Sequence, residues 1–387
     1  MIPDWVRSTS RCWLLWCCSI SACDSSPPAC HFGAEHALFE STAPAFDDVA
    51  LVWLGTHAVA VFSEATGLYA RQLDAQGLAR AAVVRLGPRC DAGVAAAVGG
   101  KGALLACARR ATDQVETSGV VSLYELDAQL AIVRLERFGR VGRSSHGIAL
   151  TVLSNDVVVS WQDAAAGNAR VWLTRRRQGS EPRAISEQAW YASAPGVVTR
   201  GDRLYASWAE TREAGSSFES RVRLVGVGAN ASPQGPVTVV TTRDDAPAPE
   251  LAASQAGLWL SFRDQRRLGR KKTGLYLARL DALGKTVSEP VRAGRADGVG
   301  RPVLRPCLGG LVAATPRTFA GDYFVGVVRA DLALRTLSGE QQFYEDSHEF
   351  AQVASTCADD RALLVIAERG RLGGGRAALR SVTFTCD

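Results

Sequence analysis

One phrase recurs seven times along this chain, and no other feature restricts its folding so strongly. From about residue 44 onward each unit reads as an apolar strand, a turn, a second strand, a variable loop and further strand. The second strands align at Val59-Ala-Val-Phe-Ser-Glu64, Leu104-Leu-Ala-Cys-Ala-Arg109, Val158-Val-Ser-Trp-Gln-Asp163, Tyr205-Ala-Ser-Trp-Ala-Glu210, Trp259-Leu-Ser-Phe-Arg-Asp264, Leu311-Val-Ala-Ala-Thr-Pro316 and Leu363-Leu-Val-Ile-Ala-Glu368. Their first residues stand 45, 54, 47, 54, 52 and 52 positions apart. A third strand follows, as in Gly67-Leu-Tyr-Ala-Arg-Gln-Leu-Asp74, Val121-Ser-Leu-Tyr-Glu-Leu-Asp127 and Gly274-Leu-Tyr-Leu-Ala-Arg-Leu-Asp281, and each closing Asp opens a turn. These Gly-punctuated segments lack the 3.6-residue period of helical repeats. A length of 387 residues would ordinarily call for two or three domains, because single cores stop growing near about 250–300 residues. A repeat architecture escapes that limit.

A period near 50 with four short strands per unit resembles the blades of bacterial β-propellers at the level of architecture. The fold expected is all-β, a seven-bladed β-propeller. Neither the Asp-box of sialidase-like propellers nor the Thr-Gly-x-x-x-Trp ending of quinoprotein repeats is present; Asp281-Ala-Leu-Gly-Lys-Thr286 is only a faint match to the latter. The last repeat ends at Leu379-Arg-Ser-Val-Thr-Phe-Thr-Cys-Asp387, its third strand. The spare segment His36-Ala-Leu-Phe-Glu-Ser41 is therefore expected to complete the last blade, closing the ring and removing two exposed sheet edges.

The N-terminus reads as an address. Arg7 and Arg11 precede an apolar run from Cys12 to Ile20, the pattern of a signal-peptide core. Ile20-Ser-Ala-Cys23 then resembles the lipobox of bacterial lipoproteins. That resemblance implies cleavage before Cys23 and acylation of its thiol, holding the protein to a membrane without a spanning helix. The plain alternative is a cleaved signal with Cys23 incidental. The division expected is a signal peptide over 1–22, a lipidated tether over 23–35 and the propeller over 36–387. The location is the cell envelope, on the periplasmic side or at the cell surface.

Of ten cysteines, Cys12, Cys17 and Cys18 leave with the signal and Cys23 takes lipid, so an even six remain in an exported chain. The blade map pairs Cys30 with Cys386 where the closing strand meets its partner, Cys90 with Cys107 across a hairpin corner, and Cys307 with Cys357 across neighbouring innermost strands. The last pair requires an approach of Cα atoms within about 7 Å.

Forty-four Lys and Arg against 39 Asp and Glu leave +5, far from the basicity of a nucleic-acid binder. Loops entering the innermost strands carry Asp48, Asp91, His146, Ser193, Asp245, Asp297 and His348, with Asp47, Asp244 and Asp346 beside three of them. Gathered at one mouth, such carboxylates would raise one another's pKa and suit Ca²⁺ or Mg²⁺. The plainer reading is that Asp and Ser are simply turn formers here, and no cofactor is expected. On the same face Arg263-Asp-Gln-Arg-Arg-Leu-Gly-Arg-Lys-Lys272 offers Arg266, Arg267, Arg270, Lys271 and Lys272 to an anionic lipid or polysaccharide, or simply to solvent. Arg175, Arg176 and Arg177 are expected to snorkel from a third strand. No nucleophile elbow, zinc-protease helix, phosphate-binding Gly loop or EF-hand spacing occurs. These features favour a monomeric, lipid-anchored module that binds an envelope protein or glycan. The alternative is a propeller glycan hydrolase using mouth carboxylates such as Asp245 and Asp297.

Overall fold

The computed structural model describes residues 29–100, 102–110, 119–141, 147–164, 168–176, 181–215, 217–228, 232–242, 247–264, 273–296, 300–319, 322–344, 349–358, 360–369 and 376–387. Every regular element among them is a strand. Strand β1 (Cys30–Glu40) comes first. Blade 1 holds β2 (Phe46–Trp53), β3 (Ala58–Glu64), β4 (Gly67–Leu73) and β5 (Val84–Gly87). Blade 2 holds β6 (Gly93–Val98), β7 (Ala103–Arg109), β8 (Gly119–Leu126) and β9 (Ile132–Val141). Blade 3 holds β10 (Ile148–Leu153), β11 (Asp156–Asp163), β12 (Arg170–Arg175) and β13 (Arg183–Ala184). Blade 4 holds β14 (Tyr191–Arg200), β15 (Arg203–Ala214), β16 (Ser217–Val227) and β17 (Pro233–Thr242). Blade 5 holds β18 (Glu250–Ser254), β19 (Gly257–Asp264), β20 (Gly274–Leu280) and β21 (Val291–Arg295). Blade 6 holds β22 (Val303–Cys307), β23 (Gly310–Phe319), β24 (Asp322–Ala330) and β25 (Gln341–Tyr344). Blade 7 holds β26 (Glu349–Ala358), β27 (Arg361–Arg369) and β28 (Ala378–Cys386), with β1 as its fourth strand. The chain is a seven-bladed β-propeller.

Local sequence explains the layering. The second strand of a blade is covered on both faces, so it reads as a continuous apolar run instead of an alternation, and β3 is buried along its whole length. The innermost strands crowd around the axis, where small side chains fit, as in Gly93-Val-Ala-Ala-Ala-Val98. The core is not within any sheet. Seven apolar clusters each straddle two neighbouring blades: Val61 of blade 1 with Leu105 of blade 2, Trp161 of blade 3 with Ala106 of blade 2, and so on round to Phe62 of blade 1 with Leu379 of blade 7. Sharp turns follow four of the third strands. There Asp74, Asp127, Asp281 and Asp331 each accept turn amides on one carboxylate oxygen, as Asp74 does from Gln76 and Leu78.

Closure takes the expected form with a longer strand. β1 runs antiparallel to β28, from Cys30 opposite Cys386 to Glu40 opposite Ala378. Residues 30–35, read from sequence as tether, are therefore the first half of the closing strand. Phe32 packs on Phe384 and gives this end its own apolar anchor. At the other end Phe39 meets Phe62 at 4.9 Å and Tyr69 at 5.7 Å, so the closing strand is packed into the seam of blades 7 and 1. Disulfides join Cys30 to Cys386, Cys90 to Cys107 and Cys307 to Cys357, with Cα separations of 4.1, 5.5 and 5.4 Å.

The expected snorkelling of Arg175 and Arg176 is not what the fold does. Arg175 is buried and its Nε donates to Asp156 at 2.7 Å, because both occupy the interior between sheets, where an Arg requires a paired carboxylate. Arg176 reaches Glu136 of blade 2 at 3.0 Å. Arg177 lies outside the described residues.

Candidate functional site at the channel mouth

The seven innermost strands enclose a channel of about 1020 Å³. All of them start at one rim, the entry mouth. Strand direction alternates within a blade, so links between second and third strands also lie at that rim, and links between third and fourth strands lie on the opposite face.

The described mouth residues include four carboxylates held in place by backbone amides and three arginines. Asp47 accepts from Ser63 and forms a two-point pair with Arg89 through Nε, at 2.6 Å, and Nη2. Asp91 accepts the amide of Arg110 at 2.8 Å. Asp48 accepts the amides of Val49 at 2.9 Å and Val94 at 2.7 Å, which ties the first two blades together. Burial pushes the Asp48 carboxyl up to about 6; the two amides and the charge of Arg301 oppose that rise, while Asp47 adds to it. Glu250, opening β18, binds Arg301 and Arg305, each at 2.8 Å. Arg301 Nη2 also donates to the carbonyls of Pro195 at 3.0 Å and Pro249 at 3.2 Å. One guanidinium of blade 6 thus holds blades 4 and 5.

Three residues lining this channel each carry one buried polar atom without a protein partner: Gln162 Oε1, Gln352 Oε1 and Arg301 Nε. Gln162 is only 2% exposed, and its Nε2 donates to the hydroxyl of Tyr191 at 3.1 Å. Gln352 Nε2 donates to the carbonyl of Asp47 at 2.6 Å. Beside this set, the β15–β16 hairpin carries Phe218 out into solvent at 61% exposure, and Tyr191 is exposed at 42%.

Of the residues expected here, Asp47, Asp48, Asp91 and Ser193 do line the mouth. His146, Asp244, Asp245, Asp297, Asp346 and His348 lie outside the described residues, as do Arg266, Arg267, Arg270, Lys271 and Lys272. Cys23 lies outside them too. Among the described residues no group of three or more His, Cys, Asp or Glu is placed to hold a metal ion.

Sequence reading missed Arg301, Glu250, Gln162 and Gln352, although the repeat alignment carries a signal for two of them. Ten residues before the aligned second strand, six repeats have Val49, Val94, Ile148, Pro195, Pro249 and Val353, and only the sixth has a charge, Arg301. One position earlier, five repeats have Gly93, Gly147, Ala194, Ala248 and Gly300, four of them at positive φ. Blades 1 and 7 place Asp48 and Gln352 there instead.

No known protein family matches this sequence, and no curated protein matches it. Among solved structures, the polysaccharide lyase Uly1 is similar at a TM-score of 0.51 with 11% identity, over 90% of this chain and 91% of that one. Drosophila Plexin A in complex with Semaphorin 1b gives 0.48 at 8% identity over 91% and 86%. The alpha-L-arabinofuranosidase from Lactobacillus brevis gives 0.42 at 13% identity over 60% and 88%. Likeness at such identities is one of fold.

Proposed function

We propose that this chain is an exported propeller, lipid-anchored at Cys23 in the cell envelope, that binds a hydroxyl-rich glycan at its channel mouth. One observation carries the reading. Asp47, Asp48, Asp91 and Glu250 are each engaged by backbone amides or arginines, whereas Gln162, Gln352 and Arg301, which line the same channel, each keep one buried side-chain polar atom without a protein partner. Buried polar atoms of that kind call for a ligand's hydroxyl groups. Exposed Tyr191 and Phe218 add ring faces on which a sugar's C–H groups stack.

The test is binding to a panel of neutral and acidic oligosaccharides by the wild type and by Gln162→Leu and Gln352→Leu. Each substitution should weaken binding about tenfold, the worth of one hydrogen bond near 1–1.5 kcal/mol. Binding indifferent to both variants overturns the reading. Glycan turnover that disappears in Asp245→Asn or Asp297→Asn while the fold persists replaces it with the hydrolase. For the anchor, a palmitate analogue should label the wild type and leave Cys23→Ala unlabelled.

A further inference from the structure

We infer that the face opposite the entry mouth rests on the lipid bilayer, so that the mouth points away from the membrane; this inference rests on the anchor at Cys23 proposed above. Two independent features of the fold lead to it.

The first is where the closing strand starts. β1 enters at Cys30, which pairs with Cys386 at the end of the sheet where β26 finishes, beside Cys357 and Ala358. Cys30 is therefore at the opposite face, and Glu40, at the far end of β1, is at the mouth. Seven residue steps separate Cys23 from Cys30, and fully extended they reach at most about 25 Å. Turning the mouth to the membrane would require those steps to run back along the eleven residues of β1, a path of about 33 Å. The tether is too short for that orientation.

The second feature is the chemistry of the two faces. Nine large apolar residues are exposed among the described residues. The two at the entry mouth, Tyr191 and Phe218, are aromatic. The other seven are aliphatic; six of them, Leu78, Val98, Ile132, Val133, Leu283 and Val287, sit in or beside turns of the opposite face, and Leu135 lies further along β9. They come from blades 1, 2 and 5, so they spread around the ring instead of forming one groove that a single peptide would fill. A planar fluid apolar medium is the partner such an arrangement fits. Arg80 and Lys285 stand exposed in these turns of blades 1 and 5, and Arg335 in the matching turn of blade 6, while Asp74, Asp281 and Asp331 accept the turn amides. Asp202 and Asp360 are also exposed on this face, so the charge there is mixed and contact should depend little on salt.

The experiment places a nitroxide on Leu283→Cys and on Phe218→Cys in the full lipidated chain, bound to vesicles of phosphatidylethanolamine and phosphatidylglycerol. Accessibility to oxygen relative to a water-soluble nickel complex should be several-fold higher at position 283 than at 218. Amide exchange of unlabelled protein, compared between vesicles and detergent, supplies a second readout: residues 78–80 and 283–287 should slow several-fold while 211–219 stays unchanged. Floating protein with equal ratios at the two sites, or with the larger ratio at 218, overturns the orientation and leaves the anchor standing. Protein that does not float with vesicles overturns both.

Discussion

Arg301 in blade 6 donates a hydrogen bond to the carbonyl of Pro195 in blade 4, 3.0 Å away, passing over blade 5, whose Pro249 carbonyl and Glu250 carboxylate it also binds. Arg301→Ala removes all of these and should lower stability by about 1–3 kcal/mol, after allowance for partial exposure of the side chain. Arg301→Lys restores the charge and not the fork, so it should recover only part of the loss. Urea unfolding of the three proteins checks this; equal midpoints would show that the contact is not holding the blades.

Asp48 makes the mouth sensitive to pH. Its folded carboxyl sits at about 6, above the ordinary value of 3.8, so the folded state binds more protons than the unfolded one between those values, and stability falls as pH rises through that window. The penalty is absent below about pH 4, is complete above about pH 6, and amounts to up to about 3 kcal/mol. Asp48→Asn carries no such penalty. Its stability relative to wild type should therefore increase from pH 4 to pH 7, and a constant difference measured by urea unfolding would contradict the assignment.

The Cys30–Cys386 bridge closes a separation of 356 residues. A loop of that size contributes on the order of 5 kcal/mol in the chain-entropy account, and less where the unfolded chain keeps structure. Cys30→Ser with Cys386→Ser should lower Tm and speed amide exchange in β1 and β28 before the central blades are affected. Uniform acceleration across all blades would mean that the bridge secures the ring as a whole and not its edge.

Two glycines separate backbone strain from steric fit. Gly77 and Gly201 both have positive φ, +86° and +60°. A Cβ at 201 meets nothing within 4 Å, whereas at 77 it would lie 2.9 Å from Ser381 Oγ and 3.0 Å from Leu363 Cδ1, across the seam of blades 1 and 7. Gly201→Ala should cost about 1 kcal/mol, the backbone share alone. Gly77→Ala should cost more, about 2–3 kcal/mol, because Ser381 also donates to the Gly77 carbonyl at 2.6 Å. Thermal unfolding of the pair gives the comparison directly.

The architecture was legible because it repeats. Aligned phrases such as Val158-Val-Ser-Trp and Tyr205-Ala-Ser-Trp expose the blade count, and a missing fourth strand after Phe384 points to the N-terminal segment. Once strands have places, the positions of Cys30 and Cys386 follow. The mouth was legible only in part: Arg301 stands out as the one charge in its column, but nothing in that column tells that its side chain crosses to Pro195 of blade 4. Long-range reach of one side chain has no local signature. Arg175 was misjudged for a related reason: its partner Asp156 lies 19 residues away across a hairpin, and an Arg triplet read alone looks like surface.

The pairing of β1 with β28 also imposes an order on assembly. During synthesis β1 emerges before the other strands of the ring and β28 after them, so blade 7 stays an open edge until β28 is made. A chain lacking β28 retains most of its sheets and still lacks a closed ring. Burial of β1 is thereby coupled to the making of β28, so the earliest strand of the ring must wait for the latest.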